Sequence, residues 1–266
     1  MDLEAEYDNS GKVPDAQAIV AGWQRDAAAF RAAHRFADLG LPYGPTPRQA
    51  MDVFWPDGAR TAPLALFIHG GYWQRMDRAD FSHLAAGLLG HGVAVAMPSY
   101  DLCPAVRIGE SVAQMRAAAA FLFRRHRRRL LAIGHSAGGH LAAMLLATDW
   151  PARDPALPAD LVHAALPISG LFDLAPLLHT QVNDAVRMDA AEAAANSPLG
   201  LHPNGPVHAV VGGTEGTEYT RQSRSLAEAW GGSWEAVPGA NHFTVVMSLA
   251  APDSALVARA RAMVAG

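Results

Sequence analysis

Short apolar runs alternate along most of the chain with segments whose apolar residues recur at helical spacing. Runs at 64–68, 93–97, 130–133, 161–168, 206–211 and 233–237 have the length and the bounding turn residues of strands. Residues 48–55 alternate enough to add another, ending at the turn Pro56-Asp57-Gly58. The stretches 78–90, 108–125, 219–230 and 253 to the C-terminus read as helices, the second with an apolar stripe through Val112, Met115, Ala119 and Leu122. Strands alternating with helices predict an α/β fold, a mostly parallel central sheet flanked by helices on both faces.

Two regions depart from this rhythm. Residues 1–45 form an N-terminal extension: a polar start, a helix around 14–34, then the turn-rich LGLPYGPTP. Residues 170–204 carry helical pieces, LFDLAPLLHT and AVRMDAAEAAANSPL, with no clear strand. An insertion after a strand's C-terminal end lies on the face where open α/β sheets bind ligands, so this one is expected to be a small helical cap over the site.

The chain has 266 residues, half of them apolar, and is expected to fold as one domain over 1–266. A net charge of −4 supplies no field suited to nucleic acid or an anionic membrane. The one basic run, RRHRRR at 124–129, falls between a predicted helix and a strand and reads as a solvated connection. Cys103 is the only cysteine and reads as a small apolar filler rather than a reactive thiol. The acidic, polar first residues lack the pattern of a secretory signal, and no apolar run has the length of a membrane span. The expected setting is cytoplasmic, with a small-molecule substrate, no nucleic acid, no membrane and no cofactor; homo-oligomer formation is left open.

The chemistry starts at Gly134-His-Ser-Ala-Gly138, between the run 130–133 and the small-residue helical pattern of Leu141, Met144, Leu145 and Thr148. A G-x-S-x-G pentapeptide on a strand-to-helix turn holds its serine on a strained corner with the hydroxyl projecting from the sheet edge. Ser136 is therefore the candidate nucleophile, against the plainer reading of a glycine-rich turn with a capping serine. The N–H of Ala137 opens the following helix, where unpaired donors favour a developing oxyanion.

A serine needs a base, and the base needs an acid to hold its tautomer. On an α/β-hydrolase sheet these follow in chain order serine, acid, histidine, each after a strand. Of twelve histidines only His242 follows the last predicted strand. The acid should follow 206–211, where GGTEGTE offers Glu215, first after the strand, and Glu218, where the next helix begins. Glu215 is chosen, with Asp173 in reserve. The second part of the oxyanion hole should come from His69-Gly-Gly-Tyr-Trp73, with Gly71 and Tyr72 as donors beside Ala137.

HGGYW, GHSAGGHLAAMLL, EGTEYTRQS, the terminal NHF and the opening YDNSGKVPD together resemble the α/β-hydrolase arylformamidases, or kynurenine formamidases, and the esterases grouped with them. The resemblance covers nearly the whole chain. It matches Ser136 to the family's nucleophile, Glu215 to its triad acid, where aspartate is more usual, His242 to its base and HGGYW to its oxyanion loop. It implies hydrolysis of an N-formyl aryl amide such as N-formyl-L-kynurenine through a formyl-enzyme, with no metal; Tyr7, Tyr72, Trp73 and Phe172 are candidates for the wall around the aromatic amine. A carboxylesterase acting on small acyl or aryl esters would use the same triad. A metal-dependent formamidase would need clustered ligands, whereas these histidines are scattered, and a non-catalytic binding protein would be expected to lack one of the three chemical residues.

Overall fold

In the computed structural model, which describes residues 2–265, the apolar runs assemble into one eight-stranded sheet. The strands are β1 (Ala37–Pro42), β2 (Ala50–Phe54), β3 (Leu64–Ile68), β4 (Ala94–Pro98), β5 (Leu130–His135), β6 (Val162–Ile168), β7 (His208–Gly212) and β8 (Ser233–Val237), in the order β1-β2-β4-β3-β5-β6-β7-β8. Only β2 runs against the rest, pairing antiparallel with β1 and β4. β3, β4, β5 and β7 are buried at every position, which is why they read as unbroken apolar runs rather than alternating ones.

Successive residues of each strand face opposite layers. Leu64, Leu66 and Ile68 enter one core cluster, Ala65 and Phe67 the other. The N-terminal helices are α1 (Leu3–Tyr7), α2 (Asn9–Lys12) and α3 (Ala16–Ala33), and α4 (Ala86–Leu89) follows β3. α5 (Ile108–His126) leads into β5, α6 (Ala137–Leu146) leaves it, and α7 (Trp150–Arg153), α8 (Val182–Val186) and α9 (Ala190–Ala195) are short. α10 (Thr217–Ala229) and α11 (Ala255–Val264) complete the set. The buried residues of α3, α4 and α11 join the core on one face of the sheet with Phe67 and Ile133; those of α5, α6 and α10 join the opposite one with Leu66 and Ala132.

Two local expectations are corrected. The turn-rich stretch before residue 48 contains β1, an edge strand; its ladder is irregular between Asp38 and Leu41, a position that tolerates Gly40 and Pro42. The single helix expected over 78–90 is two short 3-10 turns, Arg78–Asp80 and Ser82–Ala85, followed by α4. Phe81 leaves helical geometry at the junction, with φ −120° and ψ 1°, and buries its ring against Trp23 and Phe67. The basic run 124–129 has exposed ion pairs, Arg124 with Asp154 and Arg129 with Asp160. Among the described residues no helix is long and apolar enough to cross a membrane.

Three imidazoles are enclosed near the C-terminal ends of the central strands. His69 follows β3 and stacks on Tyr100 at 4.5 Å; His135 ends β5; His140 lies in α6. Loss of hydration holds all three below the ordinary histidine value, His69 at about 4, His135 at about 3 and His140 at about 4. Each is neutral when folded, yet takes up a proton near pH 6.5 when the chain unfolds. The unfolded chain then binds more protons, and stability falls as the medium is acidified. We expect urea-unfolding free energy to hold above about pH 6.5 and to drop between there and pH 4, by up to about 1.4 kcal/mol per pH unit for each histidine. A flat stability profile across that window, measured by urea titration at half-unit steps, contradicts neutral burial.

Candidate active site

The turn between β5 and α6 is forced by contacts that only glycine permits. A Cβ on Gly134 would lie 2.0 Å from the Gly138 carbonyl oxygen, and one on Gly138 would lie 2.0 Å from that of Ile68. Between them Ser136 adopts φ 57° and ψ −121°, outside the usual range of a side-chain-bearing residue, while its N–H donates to the Ile168 oxygen at 2.8 Å. The corner places Ser136, only 3 % exposed, on a cavity of about 640 Å³ whose wall also holds Gly71, Tyr72, His135 and His242. Ala137 is the first residue of α6, so its N–H has no partner in the preceding helical turn.

After β3 the chain takes three consecutive left-handed residues, Gly71 (φ 105°), Tyr72 (φ 50°) and Trp73 (φ 58°). A Cβ on Gly71 would stand 2.3 Å from the Arg75 carbonyl oxygen. The Gly71 oxygen accepts from the N–H groups of Gln74 and Arg75, closing the loop. Among the described residues no main-chain bond takes up the N–H of Gly71 or Tyr72. Trp73 is fully buried, its indole N–H donating to His140 Nδ1 at 3.3 Å.

Glu215 stands in the turn after β7 with its side chain 1 % exposed. Its Oε1 accepts from the Gly212 N–H and the Ser169 hydroxyl, both at 2.5 Å, and Oε2 meets His242 Nδ1 at 2.7 Å. The His242 carbonyl in turn accepts from His135 Nε2 at 2.8 Å, which fixes the loop after β8 to β5. With Nδ1 engaged, Nε2 is the His242 nitrogen left for other partners. Among the described residues no hydrogen bond joins it to Ser136 Oγ; such contacts are often long before a substrate binds.

Glu218 is occupied elsewhere. Arg221 donates to it at 2.6 and 2.8 Å and the Tyr7 hydroxyl at 2.7 Å, and the Arg221 bond holds its carboxyl below the usual range. Asp173 pairs with Arg221 at 3.3 Å and makes no contact with His242. Burial pushes the Cys103 thiol up to about 11, as suits a packed rather than a reactive sulfur.

Of the four aromatic residues expected at the substrate wall, only Tyr72 lines the cavity. Tyr7, Trp73 and Phe172 are packed inside the protein, Phe172 with its N–H on Gln222 Oε1. The wall comes instead from Val20 and Trp23 of α3, Met76 and Phe243, with Asn9 and Ser10 of α2 at its polar end. The segment 170–204, expected as a cap, contributes no residue to the cavity wall, whereas residues of the stretch 9–24 line it. The spacing of Ala16, Trp23 and Ala27 on one side of α3 was the available signal that this helix buries a face. No group of three or more His, Cys, Asp or Glu side chains among the described residues could hold a metal ion.

Comparison with known proteins adds to this geometry. The BD-FAE family model matches residues 51–188. A kynurenine formamidase of Salmo salar is 32 % identical over 231 residues, spanning 81 % of this chain and 78 % of its own. The crystal structure of a candidate thioesterase from Silicibacter sp. tm1040 superposes with a TM-score of 0.89 at 38 % identity, covering 97 % of this chain and 98 % of the other. Esterase B from Lactobacillus rhamnosis, at 17 % identity and a TM-score of 0.69 over 95 % of this chain and 97 % of its own, shares the fold. The sheet, the strained serine corner and these relatives lead to one statement: the chain belongs to the kynurenine formamidase family of α/β-hydrolases.

Proposed function

We propose that this chain is a cytoplasmic serine hydrolase of the arylformamidase type, releasing formate from an N-formyl aryl amide such as N-formyl-L-kynurenine. The observation that carries this reading is the buried Glu215–His242 pair at 2.7 Å, set on the same cavity as a serine in strained geometry. The names of the relatives supply the substrate class.

In this mechanism Ser136 Oγ attacks the formyl carbon while His242 Nε2 takes the hydroxyl proton. Glu215 keeps Nδ1–H directed at itself and stabilises the imidazolium. His135, whose ring centre is 4.8 Å from that of His242, cannot compete for the proton because burial keeps it neutral. The carbonyl oxygen becomes an oxyanion held by N–H groups from Gly71, Tyr72 and Ala137. The C–N bond then breaks, and the imidazolium gives its proton to the departing amine nitrogen. Water attacks the formyl-enzyme with its proton passing to His242, the C–Oγ bond breaks, Oγ recovers the proton and formate leaves. In this reading the formyl group sits beside Ser136 and the aromatic amine against Trp23 and Phe243, which line the same cavity.

Ester hydrolysis is the second reading, favoured by the 38 % identical relative described as a candidate thioesterase. The same residues serve it, since an alcohol or thiol leaves with less help from a proton donor.

Ser136→Ala is expected to abolish turnover of both N-formylkynurenine and p-nitrophenyl acetate with an unchanged circular dichroism spectrum; surviving turnover places the nucleophile elsewhere. Glu215→Gln should lower kcat by about a thousandfold or more, because the imidazole loses both its tautomer and its counter-charge. Glu218→Gln should cost less than tenfold, and steady-state rates of the two variants in the reverse order would reassign the acid. Finally, kcat/KM for N-formylkynurenine should exceed that for short p-nitrophenyl esters; a formyl amide ranking below them makes the ester the substrate.

A further inference from the structure

The oxyanion loop is tied to a group of buried side chains that none of the steps above uses. The Tyr72 hydroxyl donates to the main-chain oxygen of Tyr7 at 2.6 Å and lies 2.6 Å from the Tyr219 hydroxyl. Asn9 Nδ2 stands 2.7 Å from the Tyr219 hydroxyl and 3.3 Å from that of Tyr72. One proton arrangement accounts for these contacts: Tyr72 gives to Tyr7, Tyr219 gives to Tyr72, and one Asn9 N–H points at the pair of hydroxyls, nearer to that of Tyr219. All four residues are buried, and burial raises both tyrosine hydroxyls far above any working pH, so the arrangement stays protonated.

Tyr72 needs this support. It sits at φ 50° between two other left-handed residues, a conformation that is costly for a side-chain-bearing residue and persists only where surroundings impose it. Its ring is the lever, because the far end is fixed from three directions. Tyr219 extends the link to the base, its ring centre 4.8 Å from that of His242. Tyr7 is itself anchored on α10 through Glu218 and Gln222.

We propose that Tyr219 and Asn9 are positioning residues for the hydrolysis, acting through the Tyr72 side chain to hold the Gly71 and Tyr72 N–H groups on the oxyanion, and that the N-terminal segment carrying Tyr7 and Asn9 is thereby part of the catalytic apparatus. The inference rests on the serine-hydrolase reading given above. It concerns charge developing on the carbonyl oxygen, which amides and esters share, so it holds for either substrate.

Tyr219→Phe is the sharpest test, since Tyr219 is fully buried, does not line the cavity and keeps its ring in the variant. The expected result is a loss in kcat of about ten- to a hundredfold for both N-formylkynurenine and p-nitrophenyl acetate, somewhat less than removal of a whole oxyanion donor. KM should stay within about threefold, and the pH dependence of kcat should keep its shape because Glu215 and His242 are untouched. Asn9→Ala should show the same split, and thermal denaturation checks that each variant is folded. Should Asn9→Ala not fold, Tyr219→Phe alone decides. Folded variants with kcat within twofold of wild type, a loss carried wholly by KM, or an altered pH profile overturn the proposal. A chain whose activity survives Ser136→Ala breaks the underlying reading instead, and that outcome is distinct from a Ser136-dependent enzyme indifferent to residue 219.

Discussion

A carboxylate with 1 % of its side chain exposed must be matched by donors or neutralised, and Glu215 is matched three times over. Each donor comes from a different part of the sheet. Gly212 ends β7, Ser169 follows β6, and His242 belongs to the loop after β8. Satisfying one buried charge therefore fixes the relative positions of three strand ends. His135 adds β5 by donating to the His242 carbonyl. The strand order β5-β6-β7-β8 makes such a cluster possible, because neighbouring parallel strands deliver their C-terminal ends to the same edge.

Much of this was legible in the sequence, for a definite reason. Strands buried on both faces appear as unbroken apolar runs, and the residues that follow them share one edge whatever the lengths between them. The G-x-S-x-G motif picks out Ser136, and chain order picks out His242 and the pair of carboxylates Glu215 and Glu218. Glu215 and Glu218 differ by three positions, and the physical distinction between them is that Glu215 lies in the turn before α10 while Glu218 lies inside it, turned toward Tyr7 and Arg221. What pattern could not supply was the identity of the cover. Residues 170–204 and residues 1–45 both departed from the strand–helix rhythm, and nothing in local propensity says which of two departures crosses a cavity. That is decided by long-range bonds such as Tyr72 to Tyr7, 65 residues apart, and Asn9 to Tyr219, 210 apart. The aromatic wall was misjudged for a related reason: Trp73 and Phe172 stand close to the site in sequence, yet their side chains turn into the core.

The distribution of strain supports the same picture of rigid parts holding a reactive edge. Eight non-glycine residues among those described have positive φ; Tyr72, Trp73, Ser136 and Ser169 among them directly follow or nearly follow β3, β5 and β6, and Met76 lines the cavity. Left-handed geometry at a side-chain-bearing residue is a local cost, so its concentration at strand ends requires compensation nearby. The compensation is visible at three of them. The Ser136 N–H is bound by Ile168, the Ser169 N–H by Val210, and the Tyr72 ring by Asn9, Tyr7 and Tyr219. Two of these anchors are sheet backbone, which is difficult to move without breaking the core. The third combines the Asn9 and Tyr219 side chains with the Tyr7 carbonyl, two of these three residues lying in the first ten. Of these three positions, the 71–73 loop is thus the one whose geometry depends on a segment outside the sheet, and a change in how that segment docks would reach the cavity wall through Tyr72 before it disturbed the serine corner or the carboxylate–imidazole pair.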